Sequence, residues 1–263
     1  MTSSEYIKQL LSVEEYSFSL EEITTATNKG EIAVRSELSR LVVKKEIVNL
    51  RKGFYLIIPP RYSLAEKLPV QLYSEKLFSY LNRRYYLGLY TAAKIHGASH
   101  QQTQRDYLLI EKPKLNDIKK KHFDIRFFTS SNWPEDCIQT KKLEAGYYKI
   151  SSPSLTLADL VHHQTKLGGL NRMLATVEEL AEELTEDDLA RLLSWYPHKS
   201  TVQRMGFLLE SLLRESQLTD TLMRYLELEK YFPVLLSPSS SQKPGKVYNK
   251  WKVDVNIKLD NDL

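Results

Sequence analysis

Hydrophobic positions repeat at helical spacing through the first part of the chain and then switch to the closer alternation of strands. Tyr6, Leu10 and Val13 mark an amphipathic helix over 3–15. Ser19 precedes LEEI and Glu22 follows three residues later, a capping box in which each side chain accepts the other residue's free backbone N–H. A second helix therefore runs to about Ala26, and Thr27-Asn28-Lys29-Gly30 forms a turn. A third helix covers roughly Glu31 to Lys44, with Val34, Leu38 and Leu41 on one apolar stripe and Arg35, Ser36, Ser39 and Arg40 largely off it. The runs Ile47–Leu50 and Phe54–Ile58, joined by Arg51-Lys52-Gly53, predict a β-hairpin closed by Pro59-Pro60.

Beyond that unit the pattern is α+β. Residues 63–82 read as a helix pair broken at Pro69, and RRYYLGLYTAAKIHG as a helix ended by Gly97. Strands are expected at Tyr107–Glu111, Phe123–Thr129, Cys137–Leu143 and Tyr147–Ile150, the last two around Glu144-Ala145-Gly146. From Pro153 the periodicity is helical throughout: LTLADLVHHQ, LNRMLATVEELAEEL, DDLARLLSWY, TVQRMGFLLESLLRE and TLMRYLELEKYF. Leu236–Gly245 has the composition of a flexible linker, and Trp251 to Leu259 alternates as a terminal strand. In that strand Trp251, Val253, Val255 and Ile257 share the face expected to be buried, while Lys250, Lys252, Asp254 and Lys258 meet solvent.

Three short helices followed by a two-stranded ribbon have the order of a winged helix-turn-helix. The expected architecture is that domain over residues 1–62, then a C-terminal domain over 63–263. The second divides into an α+β part (63–150), a helical part (151–235) and the terminal strand within 246–263. A recognition helix must offer polar and basic side chains to base edges and phosphates while its other face is held by the core. Arg35 and Arg40 suit that task, with Ser36 and Ser39 short enough for close approach. Lys29 can meet a phosphate at the helix start, and Arg51 and Lys52 place two cations at the wing tip. The other reading makes these solvated charges on a winged helix used for protein contacts, since Glu31, Glu37 and Glu46 dilute the basic face.

Overall charge adds little, at a net +4, but its distribution does more. Residues 63–150 carry 15 basic against 9 acidic side chains, whereas residues 151–232 carry 8 against 13, an asymmetry expected where regions meet different partners. Cys137 is the single cysteine, so no intrachain disulfide forms. The start lacks the pattern of a signal peptide and no apolar run has the ~18 residues of a membrane span, so a cytoplasmic protein without membrane partners is expected.

The sequence offers little to catalysis. Asp159 and His163, four apart with His162 adjacent, could supply two metal ligands on one helix face, but a third ligand is missing. Asp106, Glu111 and Lys112 resemble the acidic-acidic-lysine set of metal-dependent nucleases, yet Pro113 stands where the lysine should be. Cys137 has no histidine base adjacent in sequence, and there is no GxxxxGK[ST] loop or GxGxxG after a strand. Tyr85, Tyr86 and Tyr90 beside Arg83 and Arg84 could stack on single-stranded bases, but at helical spacing such tyrosines belong to a core. Lys119-Lys120-Lys121 reads as a solvated loop. Neither a cofactor nor a metal is expected.

Five segments in order resemble the AbiEi family of antitoxins, the antitoxin half of bacterial type IV toxin–antitoxin systems. They are RKGFYLIIPPRY, YYLGLYTAAKIHG with SHQQTQ, YYKISSPSLTLADLV, the GGL at Gly168-Gly169-Leu170, and NKWKVDVNIKLD. The resemblance implies an N-terminal winged helix that binds operator DNA and represses its own operon. It also implies a C-terminal part that neutralises a nucleotidyltransferase toxin, a functional partner that it need not touch. The chain departs from the family pattern at Glu46, where a glycine commonly ends the recognition helix, so a different helix end is expected. It departs also in an acidic stretch from Glu178 to Asp188, of which Glu182, Glu183, Asp187 and Asp188 form a candidate partner surface. Two other readings are a transcriptional regulator with a ligand-sensing C-terminal domain and a protein–protein adaptor.

Overall fold

Thr2 opens the first helix, α1 (Ser3–Ser12), with a capping box: its hydroxyl accepts from the Glu5 N–H while the Glu5 carboxylate accepts from the Thr2 N–H. The computed structural model describes residues 1–98, 104–213, 217–238 and 241–259. Its contacts divide the chain into two units, one of residues 1–86, 104–132 and 140–150 and one built from the remainder. In α1 the buried positions are Ser3, Ile7 and Leu10, whereas Val13 caps the helix and is exposed. The apolar stripe thus passes through Ile7 rather than Val13. Ser17–Ser19 forms a short strand, β1, followed by α2 (Leu20–Thr27), whose Ser19–Glu22 capping box is formed as expected.

After the turn comes α3 (Glu31–Val43), then β2 (Ile47–Arg51) and β3 (Phe54–Ile57). The sheet order is β1-β3-β2, antiparallel throughout. Ile7, Leu10, Phe18, Ile23, Leu38 and Ile57 belong to one buried cluster, with Phe18 stacked on Tyr55 at 5.5 Å between ring centroids. The left-handed position at the end of α3 falls at Lys45, one residue before the Glu46 at which a different helix end is expected. Lys45 takes the left-handed conformation (φ +62°), its N–H bonds the Val42 carbonyl and the Glu46 N–H bonds the Leu41 carbonyl. This is a Schellman motif with lysine at the position glycine prefers. Lys45→Gly should therefore stabilise the fold by about 1 kcal/mol, seen as a higher urea midpoint at unchanged m, because a left-handed L-residue costs roughly that much. Losing the exposed Lys45–Glu66 ion pair offsets little of the gain.

Residues 60–62 and 70–72 form single 3-10 turns, and one helix, α4 (Ser74–Tyr80), replaces the expected helix pair. Tyr85–Leu87 is a strand, β4, so the expected single helix over 83–97 is a strand followed by α5 (Leu89–Ile95), with Gly97 at φ +87° beyond its end. The remaining strands are β5 (Arg105–Glu111), β6 (Ile118–Lys120), β7 (Phe123–Ser130), β8 (Ile138–Leu143) and β9 (Gly146–Ser151). They form a mixed six-stranded sheet in the order β6-β7-β5-β4-β9-β8, with β5 and β7 parallel and β6 antiparallel to β7. Lys119 and Lys120 lie on β6 rather than in a loop.

The second unit is largely helical: α6 (Pro153–His162), α7 (Gln164–Leu167), α8 (Leu174–Glu182), α9 (Glu186–Leu193), α10 (Lys199–Leu213) and α11 (Gln217–Glu227). Every residue from Ser154 to Val161 is buried, the signature of a helix enclosed on all sides, and α6 packs against α5, α8, α9 and α10. Near the C-terminus the strand is shorter than the alternation predicts. β10 (Val234–Leu235) pairs in parallel with β11 (Val253–Asp254) alone. Trp251 and Val253 are fully buried, but Val255 is exposed, because Asn256 turns back so that its side chain bonds both the Ser237 N–H and the Ser237 carbonyl. Residues 99–103 of the SHQQTQ segment, Arg214 and Glu215, and Asp260 lie outside the described residues.

Candidate nucleic-acid interface

α3 is held by the burial of Val34, Leu38 and Leu41, which turns the opposite face to solvent. Ile32, Ser36, Ser39 and Val43 follow one another there at i, i+4, i+7 and i+11, so they form one line along the helix. Ile32 is 87% exposed and Val43 81%, two large apolar side chains without cover at either end of a small polar strip. Arg35 and Arg40 flank the line and are exposed. Their circumstances differ. The Arg35 Nε donates to Glu31 Oε1 at 2.7 Å, one helical turn back, whereas Arg40 has no such partner among the described contacts. Lys44, which follows α3 at its C-cap, adds an exposed cation.

Lys29 is placed differently from the phosphate contact expected of it. Its ammonium lies 2.5 Å from Glu37 Oε1, and Glu37 also accepts from the Ser3 hydroxyl at 2.6 Å. The Lys29 ammonium beside it holds the Glu37 carboxyl below its usual range. Lys29 thus ties the turn to α3 and, through Glu37, to α1.

The hairpin turns at Lys52-Gly53, with Gly53 at φ +76°. Lys52 is exposed, while Arg51 is half-buried and its Nη1 is enclosed without a hydrogen-bond partner. The tip is held from several sides. The Leu20 N–H donates to the Gly53 carbonyl at 2.8 Å, the Tyr80 hydroxyl donates to the Lys52 carbonyl at 3.1 Å, and the Lys120 ammonium reaches the Asn49 carbonyl at 2.9 Å. A cleft of about 390 Å³, lined by Glu31, Arg35, Lys52 and Tyr80 among others, lies between the start of α3 and this tip. The sequence nominated the cations of this region. Ile32 and Val43 could have been found as apolar residues out of phase with the buried stripe, but Tyr80 carries no local signal.

The candidate acidic surface is split by the structure. Glu182, Glu183 and Asp187 are exposed, but Asp188 is buried, its Oδ2 accepting from the Ser154 N–H at 2.8 Å at the start of α6. Asp188 is therefore part of the packing rather than of an acidic face. The acids at the start of α9 have a local reason as well. Thr185 caps the helix and Glu186, Asp187 and Asp188 occupy its first turn, where negative charge complements the helix dipole.

The alternative chemistries dissolve in three dimensions. Asp106 and Glu111 sit five apart on β5 and so face opposite sides of the sheet. Asp106 pairs with Lys67 at 2.9 Å and Glu111 with Arg84 at 3.2 Å. Tyr85, Tyr86 and Tyr90 are buried. Cys137 is buried too, accepts from Trp195 Nε1 at 3.5 Å, and burial pushes its thiol up, away from the reactive thiolate. Among the described residues no group of three His, Cys, Asp or Glu is arranged to hold a metal ion, and no helix is long and apolar enough to cross a membrane.

The histidines instead form a cluster in which His162 stacks on His198 at 4.4 Å and meets His163 edge-on at 4.7 Å, ring centroid to ring centroid. Burial, then the neighbouring His162, push half-buried His163 down to about 3. His162 is pushed down as well, to about 4, but it is exposed, so acid sensitivity rests on His163. A base with a depressed folded pKa contributes stability above its unfolded pKa of ~6.5, and that stability is lost as pH falls toward the folded value. His163→Gln should therefore reduce the stability lost between pH 7 and pH 4 by about 2 kcal/mol, a figure discounted for partial solvent exposure. Urea midpoints of both proteins at the two pH values test it, and parallel declines would contradict it.

Residues 86–211, just under half of the chain, match the family model of the AbiEi antitoxin C-terminal domain. The chain carries an AbiEi antitoxin domain. That domain begins in β4 and runs to the last turns of α10, so the α3 face and the hairpin precede it. The crystal structure of the RV2827C protein from Mycobacterium tuberculosis superposes with a TM-score of 0.67 at 16% identity, covering 95% of this chain and 90% of that one. At that identity the likeness is one of fold. No curated protein matches the chain significantly. The domain match supports the role of an antitoxin and with it, in general, a toxin as partner.

Proposed function

We propose that this protein is an autoregulating antitoxin of a type IV system. Its residues 1–62 form a winged helix-turn-helix that binds operator DNA, and the C-terminal part, residues 63–263, neutralises a nucleotidyltransferase toxin. One observation carries the DNA reading. The face of α3 opposite its buried stripe is uncovered, with small Ser36 and Ser39 at its centre, Arg35 and Arg40 beside them, and exposed Lys52 at the neighbouring tip. That is the layout a major-groove helix with a wing requires: short side chains where the duplex comes closest, cations beside them for base edges and phosphates. Lys29 and Arg51 are supporting rather than contacting residues in this reading, since one is tied to Glu37 and the other half-buried.

The reading is tested by titrating the full chain onto DNA from upstream of its own reading frame. Lys52→Ala should weaken binding to all sequences alike and flatten the slope of log affinity against log salt by about 0.9, the counterion release of one phosphate contact. Glu31→Gln should tighten binding, because it frees Arg35 from its carboxylate and removes a negative charge facing the backbone, a gain of roughly 0.5–1 kcal/mol. A protein that shifts no duplex at low salt would refute the DNA role.

A further inference from the structure

We propose that Tyr80, at the end of α4, is a positioning residue that sets the wing for phosphate contact; the proposal rests on the DNA reading above. Three contacts converge on this side chain. Its hydroxyl donates to the Lys52 carbonyl at 3.1 Å, its ring lies 5.4 Å from that of Phe54, and its Oη stands where a Cβ on Gly53 would come within 2.6 Å. Tyr80 therefore touches all three residues of the tip, Lys52, Gly53 and Phe54, and it does so while 43% exposed. A core-packing role would bury the ring. Instead the ring lines the cleft that also holds Arg35 and Lys52.

The consequence is that the tip is defined from outside the hairpin. A two-residue turn on a short ribbon has little to fix its direction, and an isolated hairpin is marginal in water. The Leu20 N–H holds the tip on one side through the Gly53 carbonyl, and Tyr80 holds it on the other through the preceding carbonyl. With both in place Lys52 lines the same cleft as Arg35, so wing and helix can meet one backbone together. Gly53 is required by its left-handed φ, and a Cβ there would also push the Tyr80 hydroxyl off the Lys52 carbonyl.

The experiment uses the full chain with a fluorescent random-sequence duplex as probe, titrated over a range of KCl, together with amide hydrogen exchange on the free protein. Lys52→Ala is expected to lower the salt slope by about 0.9, Tyr80→Ala to lower it as much, and the double variant to lower it no further. Tyr80→Phe, which keeps the ring on Phe54 and loses only the hydrogen bond, should fall between wild type and Tyr80→Ala. A merely structural residue would change the melting temperature and leave the slope alone. In exchange, the Leu20 amide should open about tenfold faster in Tyr80→Ala, while the Ile57 amide, bonded to the Tyr16 carbonyl at 2.8 Å, keeps its rate and reports that the fold is intact. A wild-type slope in Tyr80→Ala, or no slope change in Lys52→Ala, overturns the proposal. If the wild-type chain binds no duplex, the DNA reading fails by itself, and exchange alone decides whether Tyr80 orders the tip: an unchanged Leu20 rate overturns it.

Discussion

Gly206→Ala is expected to destabilise the second unit by about 2–4 kcal/mol, although alanine is the better helix former by about 1 kcal/mol. Gly206 lies inside α10, where intrinsic propensity favours replacement. A Cβ there would fall within the ring of Trp251, against its Cζ3, Cε3 and Cη2 atoms. The indole cannot give way cheaply. It is fully buried, its Nε1 donates to Glu210 at 2.7 Å, and the Trp251 carbonyl accepts from Gln203 Nε2 at 2.8 Å. Gly206, Gln203 and Glu210 all belong to α10, so the C-terminal segment is docked into a notch of one helix. Introducing the methyl group expels the indole and forfeits most of what burying a tryptophan contributes, ~3–5 kcal/mol, less the propensity gained. The decisive comparison is made in a Trp251→Ala background. There Gly206→Ala should become stabilising by about 1 kcal/mol, because only the helix propensity remains. Urea midpoints for the four proteins measure the cycle, and losses that simply add would show that the notch does not exist.

That notch also shows what the sequence can and cannot disclose. Local rules were legible: the Ser19–Glu22 box, the Val34-Leu38-Leu41 stripe and the two strands around Lys52-Gly53 follow from spacing and turn chemistry, and each is where that chemistry puts it. Tyr85-Tyr86-Leu87 was not legible. Aromatic residues next to LYTAAKI fit a helical period, and only the neighbours β5 and β9 make them a strand. Ser17–Ser19 is too short to carry a pattern and exists because β3 offers it an edge. Val255 has the parity of Trp251 and Val253 but not their burial, since the Asn256 turn ends the strand before it. In the candidate site, the identities of Arg35, Ser36, Ser39, Arg40 and Lys52 could be read from a helical wheel and a turn. The ion pairs that occupy Lys29 and Arg35, the burial of Asp188 and the Tyr80 clasp depend on tertiary neighbours, and no spacing rule reaches them.

Arg35→Ala combined with Arg40→Ala should abolish repression while leaving the protein able to rescue cells that express the toxin from an independent promoter. Both side chains are exposed on the outer face of α3, and neither contributes to the buried stripe, so folding should be nearly unaffected. The two changes are not equivalent. Arg40→Ala removes one cation, whereas Arg35→Ala also leaves Glu31 uncompensated at the start of the helix, where its carboxylate would repel an approaching phosphate. Arg35→Ala should therefore be the more damaging of the two, and the pair together should lose about 2–6 kcal/mol of operator binding, at ~1–3 kcal/mol for each base-directed contact. The complementary variant is Glu182→Lys with Glu183→Lys, at the end of α8. It omits Asp187 and Asp188 deliberately, since positive charge in the first turn of α9 opposes the helix dipole and Asp188 holds the Ser154 N–H. This variant should repress normally, because a solvated pair of glutamates contributes little to the fold. Loss of rescue would mark them as contact residues for a basic partner, and full rescue would leave them a solvated face. An operator reporter and a rescue assay run on both variants give four readings. An Arg35/Arg40 variant that folds yet fails to rescue would show that repression and neutralisation share one surface, and the division of labour between the α3 face and the AbiEi domain would have to be abandoned.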